Sequence, residues 1–330
     1  MNRSTFLTAL TTLAAAAALA WPVAQAQAQT TLRLGHNISV SSPYQVGAEA
    51  FAKSVAERTQ GRVRVLVFPA GAIGNERDMI EGAQIGTIDL VLTSTAAVGS
   101  FVPALQVLDV PFLFRNYAHA RAVIDGPIGA DLLKSIGEKG LTPLAFGEIG
   151  FRHISANKRI NTPDDLKGVK LRSQNNPVHL AAWRALGAQP TVIPFTELYA
   201  ALQSGVVDGN EQPISIHAAS KFFEVQKHLT LTNHIYGAAV MLGSPASLRK
   251  LSAADQAALT AAARDAVAPM RAAVDAQDAS AVGVLRQGGM MVHESFDRAA
   301  FERSLADYKV QQGQTLGVER LKAIQATQAR

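Results

Sequence analysis

Short β-branched strands alternate with glycine-terminated helices twice along this chain, and that rhythm limits its fold more than any other feature. In the first round, Leu32–His36 alternates with a period of two. Gly47–Thr59 has helical spacing through Ala50, Phe51, Val55 and Ala56, and Gly61 can end it. Val63, Val65 and Val67 alternate up to Pro69, Glu76–Ile85 reads as a helix stopped by Gly86, and Asp89–Leu92 is a short buried strand. The rhythm restarts at Leu141. Strands are expected at Leu141–Phe146, Phe151–Ser155, Thr191–Ile193 and Ile235–Leu242, and helices at Pro177–Leu186 and Thr196–Gln203. Val206–Pro213 reads as a strand running into a polar loop. Strands separated by helical segments predict α/β layers around a mainly parallel sheet.

The first 28 residues stand outside this pattern. Arg3 precedes an apolar run, Phe6–Ala20, and two small-x-small sites follow, Ala24-Gln25-Ala26 and Ala26-Gln27-Ala28. This is the form of a secretory signal peptide, with a retained N-terminal anchor as the alternative. The roughly 300 residues that remain exceed the usual size of one hydrophobic core, so two domains are expected. There is no cysteine, which excludes a disulfide scaffold, thiol chemistry and thiolate metal sites, and points to a bacterial periplasm. The net charge of +5 comes from scattered residues without aromatic interleaving, which argues against nucleic acid and is compatible with an anionic ligand. No later segment has the length of apolar sequence that membrane insertion of the mature chain would need.

Ligand recognition is expected around Thr162–Arg172, T-P-D-D-L-K-G-V-K-L-R. Thr162 can cap a helical turn, Pro163 suits its first position, and Asp164 and Asp165 suit its positive end. Val169 and Leu171 then begin a strand with Arg172 at its carboxyl end, where open α/β sheets bind ligands. Arg172 is either a fork of donors for a carboxylate or a solvated surface arginine. Thr93-Ser94-Thr95 and His36-Asn37 also follow strands. Those hydroxyls either meet a ligand oxygen or cap the next helix. Phe101–Phe114, with Pro103 and Pro111, reads as a packed loop. In the tail, Ser252–Asp255 opens an alanine-rich helical stretch reaching about Gln287. It is either one long helix bracing both domains or two helices meeting at Pro269. Met290–His293 reads as a strand and Phe296–Gln312 as a final helix. There is no nucleophile motif, phosphate loop or dinucleotide fingerprint, and no histidine pair spaced for a metal, so no cofactor, metal or catalytic residue is implied.

Taken together, Gly150–His153 (G-F-R-H), Thr162–Arg172, Ala185–Ala188 (A-L-G-A) and Pro194–Pro213 resemble the DctP-type substrate-binding proteins of TRAP transporters. Phe68–Glu76 (F-P-A-G-A-I-G-N-E) and Leu108–Phe114 (L-D-V-P-F-L-F) match two further motifs of that family. The resemblance implies a periplasmic-binding-protein-like two-domain clamshell of α/β class with a long domain-spanning helix. It implies domain I over approximately 29–149 plus 238–277, and domain II over approximately 150–237 plus 278–330. It further implies a protein in the periplasm that binds a small organic-acid anion and delivers it to a TRAP membrane permease, without being an enzyme; a monomer is only the default for such a diffusing carrier, since oligomeric state is not legible in the sequence. On the family pattern, Arg172 makes a bidentate salt bridge with the ligand carboxylate, Arg152 adds a second contact, and Phe195 packs on the ligand. Gln212 donates to the same carboxylate, and Asn37, Glu76 and Ser94 line the opposite domain. The chain reads D-G-N-E-Q-P where the family often reads D-G-Q-E-N-P, so Gln212 is one methylene longer than the usual asparagine. Asn176 and His179 are further candidates, the ordinary reading of His179 being the outer face of its helix. His234 and Tyr236 are weaker ones. A receptor that serves a sensor, or an enzyme acting on an organic acid, are the alternatives.

Overall fold

The computed structural model describes residues 29–329; the expected signal segment, residues 1–28, lies outside the described residues. The strands are β1 (Thr30–Gly35), β2 (Val63–Phe68), β3 (Leu90–Ser94), β4 (Thr142–Ala156), β5 (Lys170–Ser173), β6 (Gln189–Val192), β7 (Gly209–Pro213), β8 (His228–Gly243) and β9 (Met291–His293). They form one mixed sheet in the order β2-β1-β3-β8-β4-β7-β5-β6, with β9 beside β8. β1 pairs parallel with β2 and β3, and β5 pairs parallel with β6 and β7, so each flank carries the expected parallel pattern.

The two long strands make this a two-domain molecule. β4 and β8 pair antiparallel from Thr142↔Gly243 to Ala156↔His228, about 50 Å at the usual rise per residue. β3 pairs only with the Ala239–Gly243 end of β8, and β7 only with the Arg152–Ala156 end of β4. The stretch between is a two-stranded ribbon joining two lobes, where Gly150 faces Gly237 beside a bulge at Glu148/Gly150. Gly150 has φ 105°, a conformation that costs glycine little. One core gathers Leu34, Phe51, Val55, Leu90 and Leu259 in the first lobe. A larger one runs from Met79 and Val91 through the 3-10 turn Pro103–Asp109 to Leu171 and Trp183, and so crosses from the first lobe into the second.

Several element boundaries differ from those expected. The two strands read at Leu141–Phe146 and Phe151–Ser155 are one strand, β4, because Gly147 keeps its place opposite Ala239 and a bulge between Glu148 and Gly150 does not end the ladder. The polar run Asn210-Glu211-Gln212 is part of β7 and not a loop, since all three side chains are buried in a polar interior. The alanine-rich tail is two helices, Ala253–Asp265 and Val267–Gln287, meeting at Ala266. Pro269 causes the break: it lacks the amide that would bond to Asp265, and its ring crowds that carbonyl. The second helix still packs on the Pro43–Arg58 helix of one lobe and the Ile214–Ala219 helix of the other. The final helix expected at Phe296–Gln312 is instead a chain of three, Arg298–Ser304, Ala306–Leu316 and Val318–Ala326. Among the described residues, no helix is long and apolar enough to cross a membrane.

The ribbon tolerates no side chain at position 237. A Cβ there would lie 2.6 Å from the Gly150 carbonyl oxygen and 2.8 Å from Ile149 Cγ2. Gly237→Ala is expected to cost about 1–3 kcal/mol, seen as a fall of several degrees in Tm. An unchanged Tm would contradict this close approach.

Candidate functional site

β5 begins after a 3-10 turn, Pro163–Leu166, in which Asp165 accepts from the amides of Thr162 and Asn161, both at 2.8 Å. Leu171 is buried in the core, and the strand alternation turns its neighbour Arg172 the other way. Arg172 is 1% exposed, so its reading as a solvated surface arginine is excluded. Its Nε donates to the Ile193 carbonyl at 2.8 Å, and its Nη1 is buried with no partner. Among the described residues no carboxylate lies within salt-bridge distance of it. Burial pushes this guanidinium down to about 10, and the Arg152 charge adds to that, with Glu211 and Glu76 opposing. It remains a cation at neutral pH, desolvated and unpaired.

Arg152 has a partner. From β4 it forks onto Glu211 of β7: Nε meets Oε2, while Nη2 reaches Oε1 at 2.9 Å and the Glu211 carbonyl at 2.7 Å. Burial alone would raise the Glu211 carboxyl, but Arg152 overrides it and holds that group well below the usual carboxylate range. Glu211 also lies 3.4 Å from His234 Nε2 and 3.8 Å from His179 Nδ1. His179 is fully buried, not on an outer helix face, and its Nε2 meets Asp109 at 3.1 Å. Asn176 is used at both ends. Its oxygen caps the Pro177–Ala185 helix, and its Nδ2 donates to Ala96 O at 3.0 Å and Asp109 Oδ2 at 2.9 Å. Tyr236 bonds Glu148 at 2.6 Å in the ribbon.

The facing lobe brings Glu76, which starts the Glu76–Ile85 helix behind an Asn75 capping box. Its Oε1 accepts from Thr93 Oγ1 at 2.8 Å and Ser94 Oγ at 3.0 Å. Of the two roles expected for that triplet, Ser94 takes the cap: its oxygen accepts from the Ala97 amide at 3.2 Å, and its hydroxyl proton goes to Glu76. Glu76, Arg172, Gln174, Phe101, Ile193 and Phe195 line a cavity of about 150 Å³ between the lobes. Phe195 stands edge-on to Phe222 at 6.1 Å. Among the other buried polar atoms without partners are Asn37 Oδ1, Tyr44 Oη, Gln212 Nε2, Gln174 Oε1 and both ring nitrogens of His217. Burial pushes His217 down to about 4, so it is a neutral imidazole. Buried polar groups normally find partners, so unpartnered ones on the lining of a cavity, as Arg172 Nη1 and Gln174 Oε1 are, suit a ligand. A larger hollow of about 420 Å³, between Val110–Leu113 and the C-terminal helices, has no such orphan in its lining.

Of the residues singled out in the sequence, the structure therefore puts Arg172, Glu76 and Phe195 on one cavity. It leaves Asn37 and Gln212 each with an unpartnered atom, places Ser94 behind Glu76, and commits Arg152 and Asn176 to protein partners. Gln174, on that cavity, was missed, as were Tyr44 and His217, which do not line it but are buried with unpartnered polar atoms. Gln174 carried a signal: it lies two residues beyond Arg172 and so shares its face. Tyr44 and His217 carried none.

An unpaired buried cation destabilises the fold that holds it. Because the folded pKa of Arg172 lies below the unfolded one, that penalty is fully present at neutral pH and fades only as pH rises past about 10. Arg172→Met is expected to stabilise the ligand-free protein by on the order of 1–3 kcal/mol, read from Tm. A lower Tm would mean that the guanidinium is compensated.

The family model for bacterial extracellular solute-binding proteins, family 7 (DctP), matches residues 34–312. A solute-binding protein of Verminephrobacter eiseniae is 45% identical over 306 residues, covering 92% of this chain and 91% of that one. The 2,3-diketo-L-gulonate-binding periplasmic protein YiaO of Escherichia coli is 36% identical over 85% of this chain and 86% of its own. The crystal structure of a TRAP periplasmic solute-binding protein from a Polaromonas species, bound to D-erythronate, superposes with a TM-score of 0.89 at 44% identity, covering 92% of this chain and all of that one. With its α/β lobes, its crossing strands and its helix spanning both, the chain belongs to the DctP family of bacterial extracellular solute-binding proteins.

Proposed function

We propose that this protein captures a small hydroxylated monocarboxylate between its lobes and hands it, unchanged, to a TRAP-type permease in the membrane bounding the periplasm. The observation that carries the reading is the buried guanidinium of Arg172 with its unpartnered Nη1. A ligand carboxylate supplies the missing charge and acceptor at once. Arg152 is held by Glu211, so its role is to fix the floor of the site and to add any contact through the Nη1 it has left. Gln212 Nε2 and the His217 ring offer further hydrogen bonds, and Phe195 packs against the carbon chain.

Glu76 decides between classes of acid. It lines the same cavity as Arg172, from the other lobe. A second ligand carboxylate brought within about 5 Å of it would cost roughly 3 kcal/mol at an effective dielectric of about 20. A hydroxyl there would donate to it instead. The Polaromonas and E. coli relatives support this choice, since D-erythronate and 2,3-diketo-L-gulonate each carry one carboxylate and several further oxygens. Transport relatives favour delivery to a permease over turnover or sensing.

Closure is read as a bend at the ribbon, with lobes of 29–149 plus 238–277 and 150–237 plus 278–330. Three features support that division: Gly150 faces Gly237, the β4–β8 ladder is bulged there, and Asp278 of the long helix lies 3.4 Å from where a Gly150 Cβ would be. Tyr117 Oη donates to Asp278 and accepts from the Phe151 amide at 3.1 Å, tying helix to ribbon.

In a thermal-shift panel, D-erythronate and related hydroxy acids should raise Tm by several degrees at saturation, and succinate should raise it less. Arg172→Ala should weaken binding by on the order of 2–5 kcal/mol, and Arg172→Lys should not rescue it, lacking the planar fork. Wild-type affinity in Arg172→Ala would end the assignment. Glu76→Gln should narrow the gap between succinate and D-erythronate; an unchanged gap would remove Glu76 as the filter.

Asp278 gives a pH prediction. Burial pushes its carboxyl up to about 6, with Glu148 and Asp275 adding to the rise and Tyr117 opposing it. A raised carboxyl stabilises the fold while protonated and loses that contribution as pH climbs from about 4 through 6. Asp278→Asn should therefore gain on wild type across that window, by on the order of 2 kcal/mol at pH 7.5. A pH-independent difference in Tm would contradict this.

A further inference from the structure

We infer that Gln174 reads one hydroxyl of the ligand and couples it to lobe closure. The inference rests on the cavity being a hydroxy-acid site, as proposed above. Gln174 follows β5, is buried, and reaches across the cavity. Its Nε2 lies 3.1 Å from Ser94 Oγ and 3.5 Å from Glu76 Oε2 in the facing lobe, and its Oε1 is buried with no partner.

The orientation of this amide follows from the proton count around it. Glu76 is acceptor only, and its Oε1 takes the single hydroxyl protons of Thr93 and Ser94. Ser94 has then spent its proton, and one of its lone pairs receives the Ala97 amide. Its remaining capacity is to accept, so Gln174 must present its NH₂ to Ser94 and Glu76. The amide cannot flip without setting its oxygen against a carboxylate and a spent hydroxyl. Its Oε1 is thereby fixed as an acceptor facing the cavity, without a protein partner. An O–H of the bound acid satisfies it, and the same amide holds the facing lobe through Nε2. A ligand lacking that hydroxyl leaves a buried acceptor unpaired at the point where the lobes meet.

Four probes test this: D-erythronate and the 3,4-, 2,4- and 2,3-dihydroxybutanoates, each lacking one of its hydroxyls. Their affinities are measured by calorimetry on wild type, Gln174→Met and Gln174→Glu. Wild type should bind one of the three deoxy acids roughly ten- to a hundredfold more weakly than D-erythronate because of Gln174. In Gln174→Met that one penalty should fall to within about threefold while the other two persist. A merely structural role would weaken all four acids by a common factor. Gln174→Glu keeps the acceptor and loses the donor, so all four acids should weaken together with the wild-type ranking retained. The same three ratios in Gln174→Met as in wild type would overturn the inference alone. No binding of any of the four by wild type would overturn the hydroxy-acid reading of the cavity and this inference with it.

Discussion

The molecule is built around a charge it does not neutralise. Arg172 is buried to 1% exposure with one guanidinium nitrogen unpartnered, while Arg152, also buried, is paired with the Glu211 carboxylate. The contrast sets the two apart. A matched buried pair holds strands β4 and β7 in register and can do so without any ligand. An unmatched one destabilises the protein until an anion arrives, and that deficit becomes part of the drive for binding. Glu76, Ser94 and Gln174 then answer from the other side of the cavity with groups that suit hydroxyls better than a second charge.

The scaffold converts a local event into a change of shape. Two long strands carry both lobes, and the flanking strands stop short of the middle, so the ribbon at Gly150 and Gly237 is the thinnest part of the sheet. The helix Val267–Gln287 runs alongside it and is fastened there by Tyr117 and Asp278. A ligand that bridges the lobes therefore adds to side-chain contacts that already cross between them, such as Asn176 to Ala96 and Gln174 to Ser94.

The α/β class, the two-lobe organisation and the family were readable from the chain because they rest on repeated local signals: alternation, glycine stops and motifs in a fixed order. The family supplied the long spanning helix, and Pro269 marked where the tail would break, although the break falls three residues earlier because the crowded carbonyl belongs to Asp265. What could not be read depends on partners distant in sequence. Asn210-Glu211-Gln212 looks like a loop until Arg152, His179 and His234 are seen around Glu211. His179 looks like a surface histidine until Asp109, 70 residues earlier, is seen beside it. Within the site, Arg172 was visible as an arginine at a strand end, yet its lack of a counter-ion is a property of the whole packed lobe. Gln174 was missed, although its spacing from Arg172 was a signal that could have found it. Tyr44 and His217 were not visible at all, because nothing local distinguishes them from core residues.

The most direct test of this account is a crystal structure of the protein with D-erythronate. The expected result is a carboxylate oxygen about 3 Å from Arg172 Nη1, with the hydroxylated end toward Glu76 and Gln174. A carboxylate bound away from Arg172, or a ligand lying outside the cavity between the lobes, would contradict it.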